Sequence, residues 1–171
     1  MMADPDFEAD LARYPRRPFL KEQSIWAIWV YRLGRRTLKR KPGTLYFFRL
    51  KICWLLFRIV ETLTGISLPL DAEIGPGLRI YHFGNIFIHS SAIIGRNCTL
   101  RQGVTIGNRF TDGGAPVVED NVEFGAYAQA LGSIRIGANA KIGALSLVLY
   151  DVPADTTVLG IPARPVSGRP I

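Results

Sequence analysis

Residues 88–107 read IHSSAIIGRNCTLRQGVTIG, and Ile88, Ile94, Leu100 and Ile106 recur there every six positions. Continued at the same step, the column runs through Asp112, Val118, Phe124, Ala130, Ile136, Ile142 and Val148, so that ten of eleven residues are apolar. Glycine follows the column at 95, 107, 113, 125, 137 and 143. A second column, four residues after the first, reads Ala92, Cys98, Val104, Phe110, Pro116, Val122, Ala128, Ile134, Ala140 and Ser146, mostly small or β-branched. Neither the strand period of two nor the helical 3.6 produces this rhythm. Hexads predict one short strand and one turn each, three to a coil of about 18 residues. The expected fold is therefore an all-β main body, a left-handed parallel β-helix of triangular section. Its aliphatic column points inward and glycine occupies corners that disfavour a Cβ.

The rhythm breaks twice. Upstream, Leu68, Ile74 and Ile80 keep the six-residue step, but the next slot is 86 rather than Ile88, so two extra residues enter around YHFGN, residues 81–85. Of the two histidines of the chain, His82 lies within this slip and His89 follows it. The second break is GNRFTDGGAP, residues 107–116, where Asp112 occupies an aliphatic slot; its Gly, Asn and Asp content predicts a loop extruded from one corner. In a stack whose stability rests on regularity, such interruptions point to function.

Outward from the repeat, residues 1–65 read as a basic, aromatic-rich helical arm and residues 66–171 as the β-helix with a closing segment, YDVPADTTVLGIPARPV. The formal charge of +7 belongs entirely to the arm, which carries 13 Lys/Arg and 6 Asp/Glu; the remainder carries 8 of each. SIWAIWVYRLGRRTLKRK predicts a helix with Ser24 as N-cap, ended by Pro42-Gly43. A second apolar run spans Thr44 to Ile66, but Arg49, Lys51, Arg58 and Glu61 interrupt it, which argues against a membrane-spanning helix. Residues 11–65 instead suit packing on the body or peripheral contact with an anionic membrane. No nucleic-acid reader motif accompanies the basic residues.

Composition sets further bounds. The 171 residues suit one domain with a short appendage. The acidic, then basic start lacks the apolar stretch of a secretory signal, so a cytoplasmic location is expected and the NCT at Asn97 reads as an accidental glycosylation match. Cys53 and Cys98 match no metal-ligand spacing, and two histidines are too few for a three-histidine metal site; no metal is expected. Cys98 falls in the small inward column, which makes it a core residue rather than a covalent nucleophile.

IGPGLRIYHFGNIFIHSSAIIGRNCTLRQGVTIGN and GAPVVEDNVEFGAYAQALGSIRIGANAKIGALSLVLYDVPADTTVLGIPARPV resemble the hexapeptide-repeat acyltransferases, in the branch typified by serine O-acetyltransferase. The likeness covers roughly residues 66–166. It implies acetyl-CoA as co-substrate, a homotrimer with the donor in a groove between subunits, and His82 as the general base that deprotonates an acceptor hydroxyl in a ternary complex. The positions matching the family's donor contacts are Gly107, Asn108, Ala126 and Ala144, with Arg164 near a CoA phosphate.

Three positions depart from the family's serine-specific pattern: Tyr81 replaces an Asp, Gly114-Ala115 replaces an Arg-His pair, and Ser67 replaces the Asp that orients the catalytic histidine. Ser67, Asp71 and Tyr81 remain as candidate orienters, while Asn85 and His89 are candidates for support or for the acceptor pocket. The short arm resembles that of relatives in polysaccharide-biosynthesis clusters. These departures lead to the expectation of a sugar hydroxyl on a glycan precursor as acceptor, with work beside the inner membrane. Serine acetylation is the alternative, and a non-catalytic scaffold is the alternative of another class.

Overall fold

The computed structural model describes residues 4–39 and 41–166; Arg40 of the arm and residues 167–171 of the closing segment lie outside the described residues. Helices α1 (Pro5–Leu11), α2 (Pro18–Lys21), α3 (Ser24–Leu38) and α4 (Thr44–Thr64) precede the strands, which are numbered β1 to β15 along the chain. One face stacks β1 (Ile66–Ser67), β4 (Ile86–Ile88), β7 (Thr105–Gly107), β10 (Gln129–Leu131) and β13 (Leu147–Val148). The second stacks β2 (Glu73–Ile74), β5 (Ile93–Ile94), β8 (Val117–Val118) and β11 (Arg135–Ile136). On the third lie β3 (Arg79–Tyr81), β6 (Thr99–Arg101), β9 (Glu123–Phe124), β12 (Lys141–Ile142) and β14 (Thr157–Gly160), closed by β15 (Ala163–Pro165). Every third strand pairs in parallel, which makes a three-sided parallel β-solenoid of about five coils; only β14 and β15 run antiparallel.

Both columns of the hexad point inward. Ile88, Ile94, Leu100, Ile106, Val118, Phe124, Ala130, Ile136, Ile142 and Val148 are buried, as are Ala92, Cys98, Val104, Val122, Ala128, Ile134, Ala140 and Ser146. Each large aliphatic removed from water contributes about 1.5–3 kcal/mol, and the continuous column sums these along the axis. The slip at residues 81–85 is real: Ile66 pairs with Ile86, twenty positions on, whereas Phe87 pairs with Thr105, eighteen on. The loop break differs from the expectation. Thr105 pairs with Gln129, twenty-four positions on. Asp112 and Phe110 are therefore not column residues at all; both are exposed in a loop that takes up one whole extra hexad.

The glycine column also has a different cause from the one expected. Gly95 and Gly125 do not adopt positive φ. A Cβ on Gly125 would lie 2.4 Å from Ala144 N in the next coil, and one on Gly95 would lie 2.6 Å from the Glu119 carbonyl carbon. Close stacking of coils, not turn geometry, requires glycine there. Along one corner line the left-handed positions are filled by asparagine and aspartate instead: Asn97, Asn121, Asn139 and Asp155 all have φ between 56° and 60°. Their side chains bridge successive coils, Asn121 Nδ2 donating to Asn139 Oδ1 at 3.0 Å and Asn139 Nδ2 to Asp155 Oδ1 at 2.9 Å.

The first coil has no preceding coil to pair with, and the helices satisfy its edge. Arg32 of α3 donates to the carbonyls of Ile74 (2.7 Å) and Gly75 (2.6 Å), Arg13 to Gly77 (2.6 Å) and Cys98 (3.0 Å), and Arg35 to Leu70 (3.0 Å). Tyr31 donates to Ala72 O and accepts from Ile74 N; Asp10 accepts from Leu78 N at 2.8 Å and pairs with Arg32 in full burial. Part of the arm's positive charge is thus bound to backbone carbonyls. Ser24 is not an N-cap: its hydroxyl donates to Ile80 O at 2.9 Å, and Gln23 precedes the helix in αR conformation without a side-chain cap.

Helix α4 packs on α3 and ends where Gly65 takes φ 64°. Its outer side exposes Phe48, Ile52, Leu55 and Ile59 alongside Lys51 and Arg58. Among the described residues, no helix is long and apolar enough to cross a membrane.

Candidate active site

His82 lies in the corner between β3 and β4, the corner that carries the two extra residues. His82, Gly84 and Asn85 all have positive φ, at 65°, 103° and 55°. Left-handed backbone at a non-glycine residue is uncommon and concentrates at functional sites. The corner is wedged between coils: Gly103 N donates to Gly84 O at 3.0 Å, and Ile86 N to Gly65 O at 3.0 Å. The imidazole is exposed and makes no hydrogen bond among the described residues. Beside it is a cavity of about 330 Å³. Arg79, Tyr81, His82 and Phe83 line one side. The other side is Lys21 to Ser24, from the junction of α2 and α3.

The remaining candidates divide by corner. Ala126 and Ala144 stand on the same corner column as His82, one and two coils beyond Gly103; Tyr127 N donates to Gln102 O and Leu145 N to Ala126 O, continuing the stack. Ser67 lies on the adjacent face opposite Phe87, with no hydrogen bond to His82. Asp71 and His89 occupy the next corner, across the width of that face, where His89 Nδ1 accepts from Ser91 N at 3.1 Å. His89 therefore supports its own turn and does not join His82, and Asp71 is likewise too remote to orient it. Gly107 and Asn108 begin the extruded loop at that same far corner; Asn108 Nδ2 holds the loop through Phe110 O at 2.8 Å. Arg164 lies on β15 at the end of the solenoid, stacked on Tyr150 at 5.1 Å.

Arg79, Glu22 and Lys21 were invisible as site residues in the sequence. Arg79 occupies a slot that is exposed in later coils, at Glu123 and Lys141, and the helical arm, through Tyr14 and Glu22, covers it. Its guanidinium lies between the rings of Tyr14 (3.9 Å) and Tyr81 (4.2 Å) and forms a two-point ion pair with Glu22. Cys98 is fully buried, and burial pushes its thiol up to about 11, which removes it as a nucleophile at neutral pH. No group of three His, Cys, Asp or Glu side chains among the described residues is arranged to hold a metal.

A β-solenoid with an exposed, left-handed histidine at a coil insertion defines the class; comparison with known proteins narrows it. No protein-family model matches the chain. The serine acetyltransferase of Synechococcus elongatus is 44% identical over 112 residues, 64% of this chain and 46% of that protein. That of Bacillus subtilis is 36% identical over 166 residues, 95% of this chain and 73% of that protein. Among solved structures, the Neisseria gonorrhoeae serine acetyltransferase in complex with serine superposes with a TM-score of 0.76 at 33% identity, covering 95% of this chain and 66% of that one. A serine acetyltransferase in complex with CoA gives 0.78 at 31%, covering 95% and 67%. The chain belongs to the serine acetyltransferase family. It spans about half the length of the Synechococcus relative.

The expected sugar acceptor and polysaccharide role are thereby corrected. The relatives above are serine acetyltransferases, and the match covers 95% of the chain, extending into the helical arm that had suggested a different branch. Substitutions at Tyr81, Gly114 and Ala115 do not move the chain out of that family.

Proposed function

We propose that the protein is an acetyl-CoA-dependent serine O-acetyltransferase with His82 as its general base. The observation that carries this reading is the two-residue insertion that turns His82 outward, in left-handed conformation, beside a cavity at that coil corner. Acetyl-CoA supplies an activated acyl group on a thioester. His82 takes the proton of the serine hydroxyl as its oxygen attacks the acyl carbon, and returns that proton to the sulfur as the C–S bond breaks. A backbone N–H of this corner column other than those of Gly103 and Tyr127, which are bound to Gly84 O and Gln102 O, is suited to the developing oxyanion. Ala126 and Ala144 follow His82 along the same corner column, where small side chains suit the approach of a pantetheine arm; Asn108 and Arg164 lie further out.

A trimer is part of this proposal. Phe87, Tyr127 and Leu145 expose apolar surface beside the same corner, at 53%, 49% and 66%, which suits a neighbouring subunit there. The outer side of α4, with Phe48, Ile52, Leu55 and Ile59 between Lys51 and Arg58, has the charge and apolar character of a helix lying on an anionic lipid surface. Co-sedimentation with phosphatidylglycerol but not phosphatidylcholine vesicles tests that part.

The central test follows release of free CoA from acetyl-CoA by the purified full chain with L-serine. Serine-dependent release is the expected result. Absence of serine-dependent release would overturn the assignment.

A further inference from the structure

The wall of the His82 cavity contributed by the helical arm carries opposite charges on adjacent residues. Lys21 is exposed, and its ammonium has no hydrogen bond or ion pair among the described residues. Glu22 is held by Arg79, with Nη2 to Oε1 at 2.8 Å, yet its side chain remains 24% exposed. An ionised carboxylate has about four acceptor positions, so two remain for another donor. Arg79 is 95% buried by the same packing, and its Nε is buried with no hydrogen-bond partner among the described residues. That Nε is sealed by the same packing, so the part Arg79 plays at the cavity is to hold the Glu22 carboxylate.

We infer that this wall is the head-group subsite for a zwitterionic α-amino acid acceptor, with Glu22 taking the ammonium and Lys21 taking the carboxylate. The inference rests on the serine acetyltransferase reading and deepens it by naming what holds the acceptor. Its logic is complementarity: one anion and one free cation on adjacent residues line the same cavity as the base, so an acceptor held by both ends presents its hydroxyl to His82. Arg79, clamped between Tyr14 and Tyr81, is a positioning residue that fixes the Glu22 carboxylate.

The experiment compares acceptors that each lack one charge. Ethanolamine keeps the ammonium and hydroxyl but has no carboxylate; 3-hydroxypropionate keeps the carboxylate and has no ammonium. Wild type, Lys21→Met and Glu22→Gln are assayed with L-serine and both analogues. Lys21→Met is expected to raise the KM for serine about tenfold and to reduce the serine-over-ethanolamine ratio of kcat/KM by a similar factor. Glu22→Gln is expected to reduce the serine-over-3-hydroxypropionate ratio about tenfold. Thermal melts accompany both, because Glu22→Gln removes a partner of a buried guanidinium, whereas Lys21 is exposed and its variant folds as the wild type. Efficient serine turnover with both ratios unchanged within twofold in the variants would overturn this subsite while leaving the proposed reaction intact. Absence of serine turnover in the wild type would overturn the proposed function and this subsite together.

Discussion

Thr105 lies opposite Gln129, twenty-four positions along the chain, while Gln129 lies opposite Leu147 at eighteen. The difference is one hexad, and it explains why the six-residue column continues in phase after a loop that never enters the core. Excising Arg109 to Gly114 leaves a hexad of ordinary length. Loop closure depends weakly on length, so the melting temperature should stay within about 3 °C of wild type. Removing Gly137 to Asn139 from a regular coil should instead abolish cooperative melting, because a three-residue shift turns the downstream inward residues outward. Differential scanning calorimetry of both deletions checks the contrast.

His82 is exposed and makes no hydrogen bond among the described residues, so replacing it with a residue that tolerates its backbone should alter chemistry and not folding. Asparagine tolerates the left-handed conformation and alanine does not. His82→Asn should lower kcat about 10²–10⁴-fold with an unchanged melting temperature. His82→Ala should lose activity equally, with an added stability cost of about 1–2 kcal/mol. A wild-type rate for His82→Asn would remove the general base from the mechanism.

Asn139 combines φ 60° with hydrogen bonds to Asn121 and Asp155. Urea titration should show Asn139→Ala destabilised by about 1–2 kcal/mol. Asn139→Gly should lose less, since glycine accepts the backbone and forfeits only the side-chain ladder.

The Arg32–Asp10 pair joins α1 and α3 to the first coil in full burial. Arg32→Met strands the Asp10 carboxylate and leaves the Ile74 and Gly75 carbonyls without their donor. A loss of about 3–5 kcal/mol is expected. Chemical denaturation of Arg32→Met should recover in part when Asp10→Leu is added, because the uncompensated charge is then gone.

Burial raises the Cys98 thiol from 9.0 to about 11. A raised folded-state value means that its contribution to stability is complete below pH 9 and is lost as the pH climbs from 9 to 11. The loss amounts to about 2–3 kcal/mol. Comparing the pH dependence of stability for wild type and Cys98→Ala isolates this slope, which the variant should lack. In a Cys53→Ser background, native Cys98 should also resist alkylation at pH 8 and react on unfolding.

Much of the solenoid was legible because its signal is local and repeated. An inward side chain every six residues fixes three faces, and the slip of two positions located the His82 corner without any long-range information. Even the core assignment of Cys98 followed from its column. The legible part failed where two causes give one pattern. A loop of exactly one hexad keeps the phase, so Asp112 read as a column residue. Glycine at a corner read as turn chemistry, although stacked backbone requires it and asparagine takes the left-handed positions. Charge was half legible: packing on the body was one of two readings of the basic arm, and the unpaired carbonyls of the first coil show that Arg13, Arg32 and Arg35 serve it.

The sequence by itself therefore determined the solenoid, its period, the inward columns and the histidine at the irregular corner, because residues six apart see the same environment in every coil. Only the tertiary structure decided what surrounds that histidine. It separated His89, Asp71 and the extruded loop onto another corner, and it brought Lys21 and Glu22 across more than fifty residues of chain to the cavity at Arg79 and His82. No periodicity encodes such a meeting, since it depends on how a helix docks on the open edge of the first coil, and that docking is set by hydrogen bonds between residues distant in sequence.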